Sequence, residues 1–112
     1  AENSCLYCVV AHGAILRIYE KSAMISEQIA ANYRKADITE RQRAMLDFAV
    51  KVCNHSAEVD NKDFIILKDH DFTDDDIWDI TGITALFGLS NRLANITSMR
   101  PNDEFYQMGR TR

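Results

Sequence analysis

The chain has 112 residues, 46% hydrophobic and 27% charged, ordinary globular usage that excludes intrinsic disorder and leaves room for one core. Its 13 basic and 17 acidic residues give a net charge of −4, which lacks the positive footprint of a nucleic-acid binder. Four Gly and one Pro are too few for the frequent turns of an all-β domain, so an all-α fold of about four long helices is expected.

No run approaches the roughly 18 apolar residues of a transmembrane span, so no membrane association is expected. No basic segment followed by an apolar one opens the chain, so no signal peptide is expected either. Three cysteines do not pair into a secreted disulfide framework, which makes the cytoplasm the expected compartment. No Gly/Ser/Pro-rich linker interrupts the sequence, and residues 1–112 read as a single domain. The first residue is Ala1 rather than Met, so a preceding segment is expected.

Residues 4–34 predict a first helix that is apolar on nearly every side, with Asn3 or Ser4 as its cap and a break in the polar stretch 26–37. Gly13 costs a helix interior about 1 kcal/mol relative to Ala, which points to close packing there. Thr39 and Gln42 form a capping box for a second helix, whose stripe is Met45, Leu46, Ala49, Val52 and Cys53. Asn54, His55 and Ser56 close it. A short helix is expected over residues 60–68, with Phe64, Ile65 and Leu67 as its apolar residues. Thr73, followed by Asp74, Asp75 and Asp76, opens the last helix with negative charge on the positive end of its dipole. Its stripe runs through Ile77, Ile80, Thr84, Phe87 and Leu93 or Ala94, and Pro101 stops it near Arg100.

The informative stretch is Cys5-Leu6-Tyr7-Cys8-Val9-Val10-Ala11-His12, a C-x-x-C-x-x-x-H pattern. On a helix, Cys5, Cys8 and His12 fall within an arc of about 60°. Cys5 and Cys8 are close enough for a disulfide if the first turn adapts, and His12 is within reach of the second sulfur. A thiol attacks as its thiolate, which a neighbouring His or a helix N-terminus promotes. Cys5 lies nearer that N-terminus, whereas Cys8 is the thiol that His12 can deprotonate. The preferred order has Cys8 attacking a peroxide oxygen, with Cys5 resolving the sulfenic acid to a disulfide.

The same residues admit other readings. Two small thiols and a satisfied imidazole also suit a plain buried helix. A zinc site would draw its fourth ligand from Cys53, His55 or His70, although such sites place C-x-x-C in a knuckle rather than on an apolar helix. Cys53 continues its helix stripe and reads as packing. His55 reads as a helix-end cation, and His70 as a solvated turn residue. Tyr7 reads mainly as packing beside the cysteines, and Trp78 as a core or interface aromatic. Asn91 and Arg92 read as polar residues at a helix contact.

The chain resembles the alkyl hydroperoxidase D-like proteins of the carboxymuconolactone decarboxylase superfamily, in the branch of peroxidase-related enzymes. NSCLYCVVAHGA is similar to the family's active-site helix and ITERQRAMLDFAVKV to its next helix. DFTDDDIWDITGITALFGLSNRLAN is similar to its long helix ending in an Asn-Arg pair, and MRPNDEFYQMGR to the tail of the branch. The resemblance implies an all-helical domain, lacking upstream family helices, that assembles into trimers or hexamers. It further implies reduction of hydroperoxides by Cys5 and Cys8, with His12 in a proton relay. An external thiol or dithiol restores the electrons, and no cofactor or metal is required. The family's relay also contains a Glu well upstream of the first Cys, a position that would precede Ala1. Glu2 does not match it and reads as a solvated terminal acid. A non-catalytic helical module of the same fold and a decarboxylase are the alternatives.

Overall fold

In the computed structural model, which describes residues 1–110, five helices follow one another: α1 (Leu6–Glu20), α2 (Ile25–Asn32), α3 (Glu40–His55), α4 (Asn61–Asp69) and α5 (Asp74–Ile96). Short 3₁₀ turns lie at Tyr33–Lys35, Ser56–Glu58 and Asp103–Tyr106. No strand occurs among the described residues. None of their helices is long and apolar enough to cross a membrane. The single first helix expected over residues 4–34 is two helices, with a break at residues 21–24 that the sequence does not signal; the polar stretch 26–37 also holds the expected break, where α2 ends at Asn32. Lys21 ends α1 in the left-handed conformation (φ 54°), with its N–H bonded back to the Arg17 carbonyl. Glycine is usual at such a position, and a lysine there carries no comparable signal.

The described chain forms two compact units. One comprises Ala1–Asp37 and the residues from Ser90 onward; the other is Ile38–Leu89. Residues 74–89 of α5 belong to the second and residues 90–96 to the first.

In the second unit the helix starts follow the polar residues that precede them. Thr39 and Gln42 make the expected capping box. Asp60 and Asp63 make another ahead of α4. The Thr73 hydroxyl accepts from the Asp76 N–H at 3.1 Å, while the Asp76 carboxylate accepts from the Thr73 N–H at 2.8 Å. These bonds satisfy donors that a helix start otherwise leaves to water. The core is Phe48, Leu67, Phe72 and Ile77, flanked by Met45, Val52, Val59, Phe64 and Ile80. Ala44 and Phe48 are the buried residues of α3, and Met45 and Val52 of the expected stripe pack against the core beside them. Trp78 is 77% exposed and is not a core residue.

In the first unit, α1 and α2 pack where Gly13 meets Ser26; a Cβ added at Gly13 would sit 3.4 Å from the Ser26 Cβ. The centre of this unit is Arg17, only 2% exposed. Its Nε donates to the Met108 carbonyl, one terminal nitrogen to the Phe105 carbonyl and the other to the Ser26 hydroxyl, each at 2.8 Å. Burial pushes the Arg17 guanidinium down and Arg110 acts in the same sense, while Glu27, 3.7 Å away, acts against them. Gly109 lies directly over this side chain at φ +77°, where a Cβ would meet the Arg17 Cβ at 2.7 Å. Only glycine supplies both that backbone conformation and that clearance.

Two predictions follow from these contacts. Gly109→Ala and Arg17→Leu should each destabilise the protein, Arg17→Leu by about 3 kcal/mol because it orphans two carbonyls held by a charged donor. Arg17→Lys should recover little of that loss, since an ammonium has no planar fork; urea denaturation measures all three. The second concerns acid. An Arg110 hydrogen bond holds the Glu27 carboxyl low, and Thr73 does the same for Asp76. Asp63 is pushed up by burial, but the Asp60 N–H and the Lys51 ammonium bring it below the ordinary value on balance. With native values depressed, the unfolded chain binds more protons. Stability should therefore be fully present above about pH 5 and fall as pH drops through and below about 4. Asp63→Asn should lower the neutral-pH Tm and make the acid decline shallower.

Candidate redox site

The first turn of α1 is shaped by a cysteine in a capping position. Cys5 stands just ahead of the helix with an extended backbone (φ −90°, ψ 107°), and its Sγ accepts a hydrogen bond from the Cys8 N–H at 3.2 Å. Neither Asn3 nor Ser4 is the cap, contrary to expectation. Ser4 is in the left-handed region (φ 51°), and its N–H closes a turn onto the Ala1 carbonyl at 2.9 Å. Because Cys5 lies outside the helical geometry, its side chain can turn toward the residue three positions on. Cys5 and Cys8 are joined as a disulfide, with Cα atoms 5.2 Å apart, inside the usual range for such a bridge.

Both cysteines are buried, Cys5 at 1% and Cys8 at 6% exposure. Ala94 of α5 packs on the pair, and Tyr7, half-buried, flanks it. The Asn95 side-chain amide donates to the Asn3 carbonyl at 2.9 Å, tying the end of α5 to the segment that enters α1. The positive end of the α1 dipole falls on the Cys5 sulfur, which favours negative charge there once the bridge opens.

His12 is exposed, and its Nδ1 lies 3.0 Å from the Cys8 carbonyl oxygen. A carbonyl only accepts, so Nδ1 carries the hydrogen and the neutral ring has its lone pair on Nε2. The sequence places the imidazole at the Cys8 sulfur; this hydrogen bond is instead to the Cys8 carbonyl. Helix carbonyls point along the chain toward residue i+4, whereas side chains lean back toward the N-terminus.

Cys53, His55 and His70, the other candidate ligands of the sequence, fall in the second unit. His55 Nδ1 lies 3.6 Å from Glu58, and His70 Nδ1 is 2.9 Å from the Ile66 carbonyl. Cys53 is half-buried on α3. Among the described residues no group of three His, Cys, Asp or Glu side chains is arranged to hold a metal ion. Glu2 is exposed. Sequence reasoning missed Arg17, although a lone cation within the apolar run of α1 was the available signal.

The fold is an all-helical scaffold with a buried C-x-x-C disulfide at the entry to α1, an arrangement consistent with a redox-active site. No protein-family model and no curated protein matches the chain. Solved structures do. Over 97% of its length the chain is similar, at 67% identity and a TM-score of 0.96, to an uncharacterized peroxidase-related protein from Ralstonia eutropha JMP134 described as an alkylhydroperoxidase AhpD core. Over 96% it is similar, at 44% identity and a TM-score of 0.93, to an uncharacterized peroxidase-related protein from Silicibacter sp. TM1040. The chain belongs to this AhpD-like, peroxidase-related family. It spans 57% and 56% of the lengths of those two proteins.

The cap geometry separates two substitutions at one position. Under reducing conditions, Cys5→Ser keeps an acceptor for the Cys8 N–H, whereas Cys5→Ala removes it. Cys5→Ala should be less stable than Cys5→Ser by about 1 kcal/mol in urea denaturation. Equal stabilities would mean that the side-chain cap contributes nothing.

Proposed function

We propose that the protein is a thiol peroxidase that reduces hydroperoxides with the Cys5–Cys8 dithiol. In the reduced protein the Cys8 thiolate attacks one peroxide oxygen. The O–O bond breaks, the alcohol or water departs after taking up a proton, and Cys8 becomes a sulfenic acid. The Cys5 sulfur then attacks Cys8, water leaves, and the disulfide forms. An external dithiol returns two electrons and two protons to the pair and leaves as its own disulfide. His12 assists Cys8 deprotonation and passes protons through Nε2.

The observation that carries this reading is the disulfide between two cysteines of a C-x-x-C pair at a helix N-terminus, in a member of a peroxidase-related family. Assigning the attack to Cys8 draws on its slightly greater exposure and on its place four residues before His12 in α1; the Cys5 sulfur serves as the helix cap. The substrate class is an organic hydroperoxide or hydrogen peroxide, and the setting is a reducing one such as the cytoplasm. We further propose a homo-oligomer, trimeric or hexameric. Trp78, Ile83, Leu86, Leu89, Leu93 and Ile96 of α5 are each more than half exposed, more apolar surface than a solvated helix usually presents.

The burial of both cysteines favours a second reading, a helical module of the same fold without turnover. Intact mass and free-thiol count before and after one equivalent of hydroperoxide separate the two. For the peroxidase, the reduced protein should lose two thiols per chain, mapped to Cys5 and Cys8. Cys8→Ser should abolish peroxide consumption, and Cys5→Ser should halt after one turnover with a trapped sulfenic acid. Thiols no faster than free cysteine in a folded protein would sink the peroxidase and leave the module.

A further inference from the structure

Asn91 is 9% exposed, and its Oδ1 is buried with no hydrogen-bond partner, alone in this respect among the described residues. A buried amide oxygen left unpaired is costly, and most such groups in folded proteins find a partner. The position of Asn91 on α5 points to the missing one. Asn91, Ala94 and Asn95 are spaced i, i+3, i+4 and share one side of the helix. Ala94 packs on Cys5 and Cys8, and Asn95 donates to the Asn3 carbonyl. One step back along that side, from Asn95 to Ala94, already moves the contact from Asn3 to the cysteines. The next turn carries it past Cys5 toward Cys8.

A disulfide has no proton to offer an amide oxygen, whereas a thiol has one. Cys5 and Cys8 each gain an S–H on reduction; Cys8, farther along α1 than Cys5, is the one toward which the side of α5 carrying Asn95, Ala94 and Asn91 leads. We propose that Asn91 is a positioning residue for the dithiol: its Oδ1 accepts the Cys8 S–H in the reduced protein and loses that bond when the disulfide closes. The inference rests on the redox reading of Cys5 and Cys8 and does not require peroxide to be the oxidant. Reduction by a dithiol transfers two electrons and two protons. The S–S bond breaks, each sulfur gains a hydrogen, the donor becomes a disulfide, and the new Cys8 S–H fills the empty acceptor. Asn91 thereby favours the open form and makes the bridge easier to reduce.

The test equilibrates the whole protein with graded ratios of reduced to oxidised dithiothreitol and reads the two forms by intact mass after thiol alkylation. Asn91→Leu removes the amide at similar volume. It should shift the equilibrium about tenfold toward the disulfide, equivalent to a potential about 30 mV more negative. It should also lower the Tm of the reduced protein while leaving that of the oxidised protein unchanged or raised. Asn91→Ala gives the same readout if the leucine variant does not fold. Equal Tm changes in both forms with an unmoved equilibrium would overturn the proposal, since a structural amide, or one bonded to water in both states, behaves that way. A wild-type protein with no reversible dithiol–disulfide equilibrium would overturn the redox reading itself, a distinct result.

Discussion

Burying a guanidinium is tolerable only when its N–H groups are met, because a charge taken out of water keeps none of its former partners. Arg17 meets that condition with two carbonyls from the far end of the chain and one hydroxyl from the neighbouring helix. The same planar fork thus connects α1, α2 and the segment around residues 105–108. Gly109 completes the arrangement by bringing backbone over the side chain where any Cβ would collide. The helix held in this way is the one whose first turn carries the cysteines.

At that first turn, the helix cap and the disulfide share an atom. The sulfur that accepts the Cys8 N–H is also one half of the bridge to Cys8. Cys5 is therefore held by its extended backbone, by its hydrogen bond and by the packing of Ala94. A thiol at a helix N-terminus is predisposed to ionise. The imidazole of His12 meets the Cys8 carbonyl through Nδ1, a contact within one turn of α1.

Helix starts were legible because they are local. Thr39 with Gln42 and Thr73 with Asp76 hydrogen-bond within one turn, and no distant residue enters the arrangement. The end of α1 was not legible. Lys21 adopts a conformation that glycine usually signals, and only the packing of α2 after it makes the break worthwhile. The inward face of α3 was legible only in part, since Ala44 and Phe48 are buried beside Met45 and Val52 of the expected stripe. An apolar residue is consistent with several faces, and its neighbours in space choose among them.

By itself the sequence determined that the chain is helical, where most of its helices begin, and that Cys5, Cys8 and His12 lie together on one short stretch. Each of these follows from residues within a few positions of one another. Tertiary structure alone decided that Cys5 rather than Asn3 or Ser4 caps α1, and that a lone arginine in an apolar helix binds carbonyls 88 and 91 residues away. It also decided that Asn91 is buried with an empty acceptor. Hydrogen bonds between distant segments depend on where the backbone returns, and spacing along a chain carries no record of that.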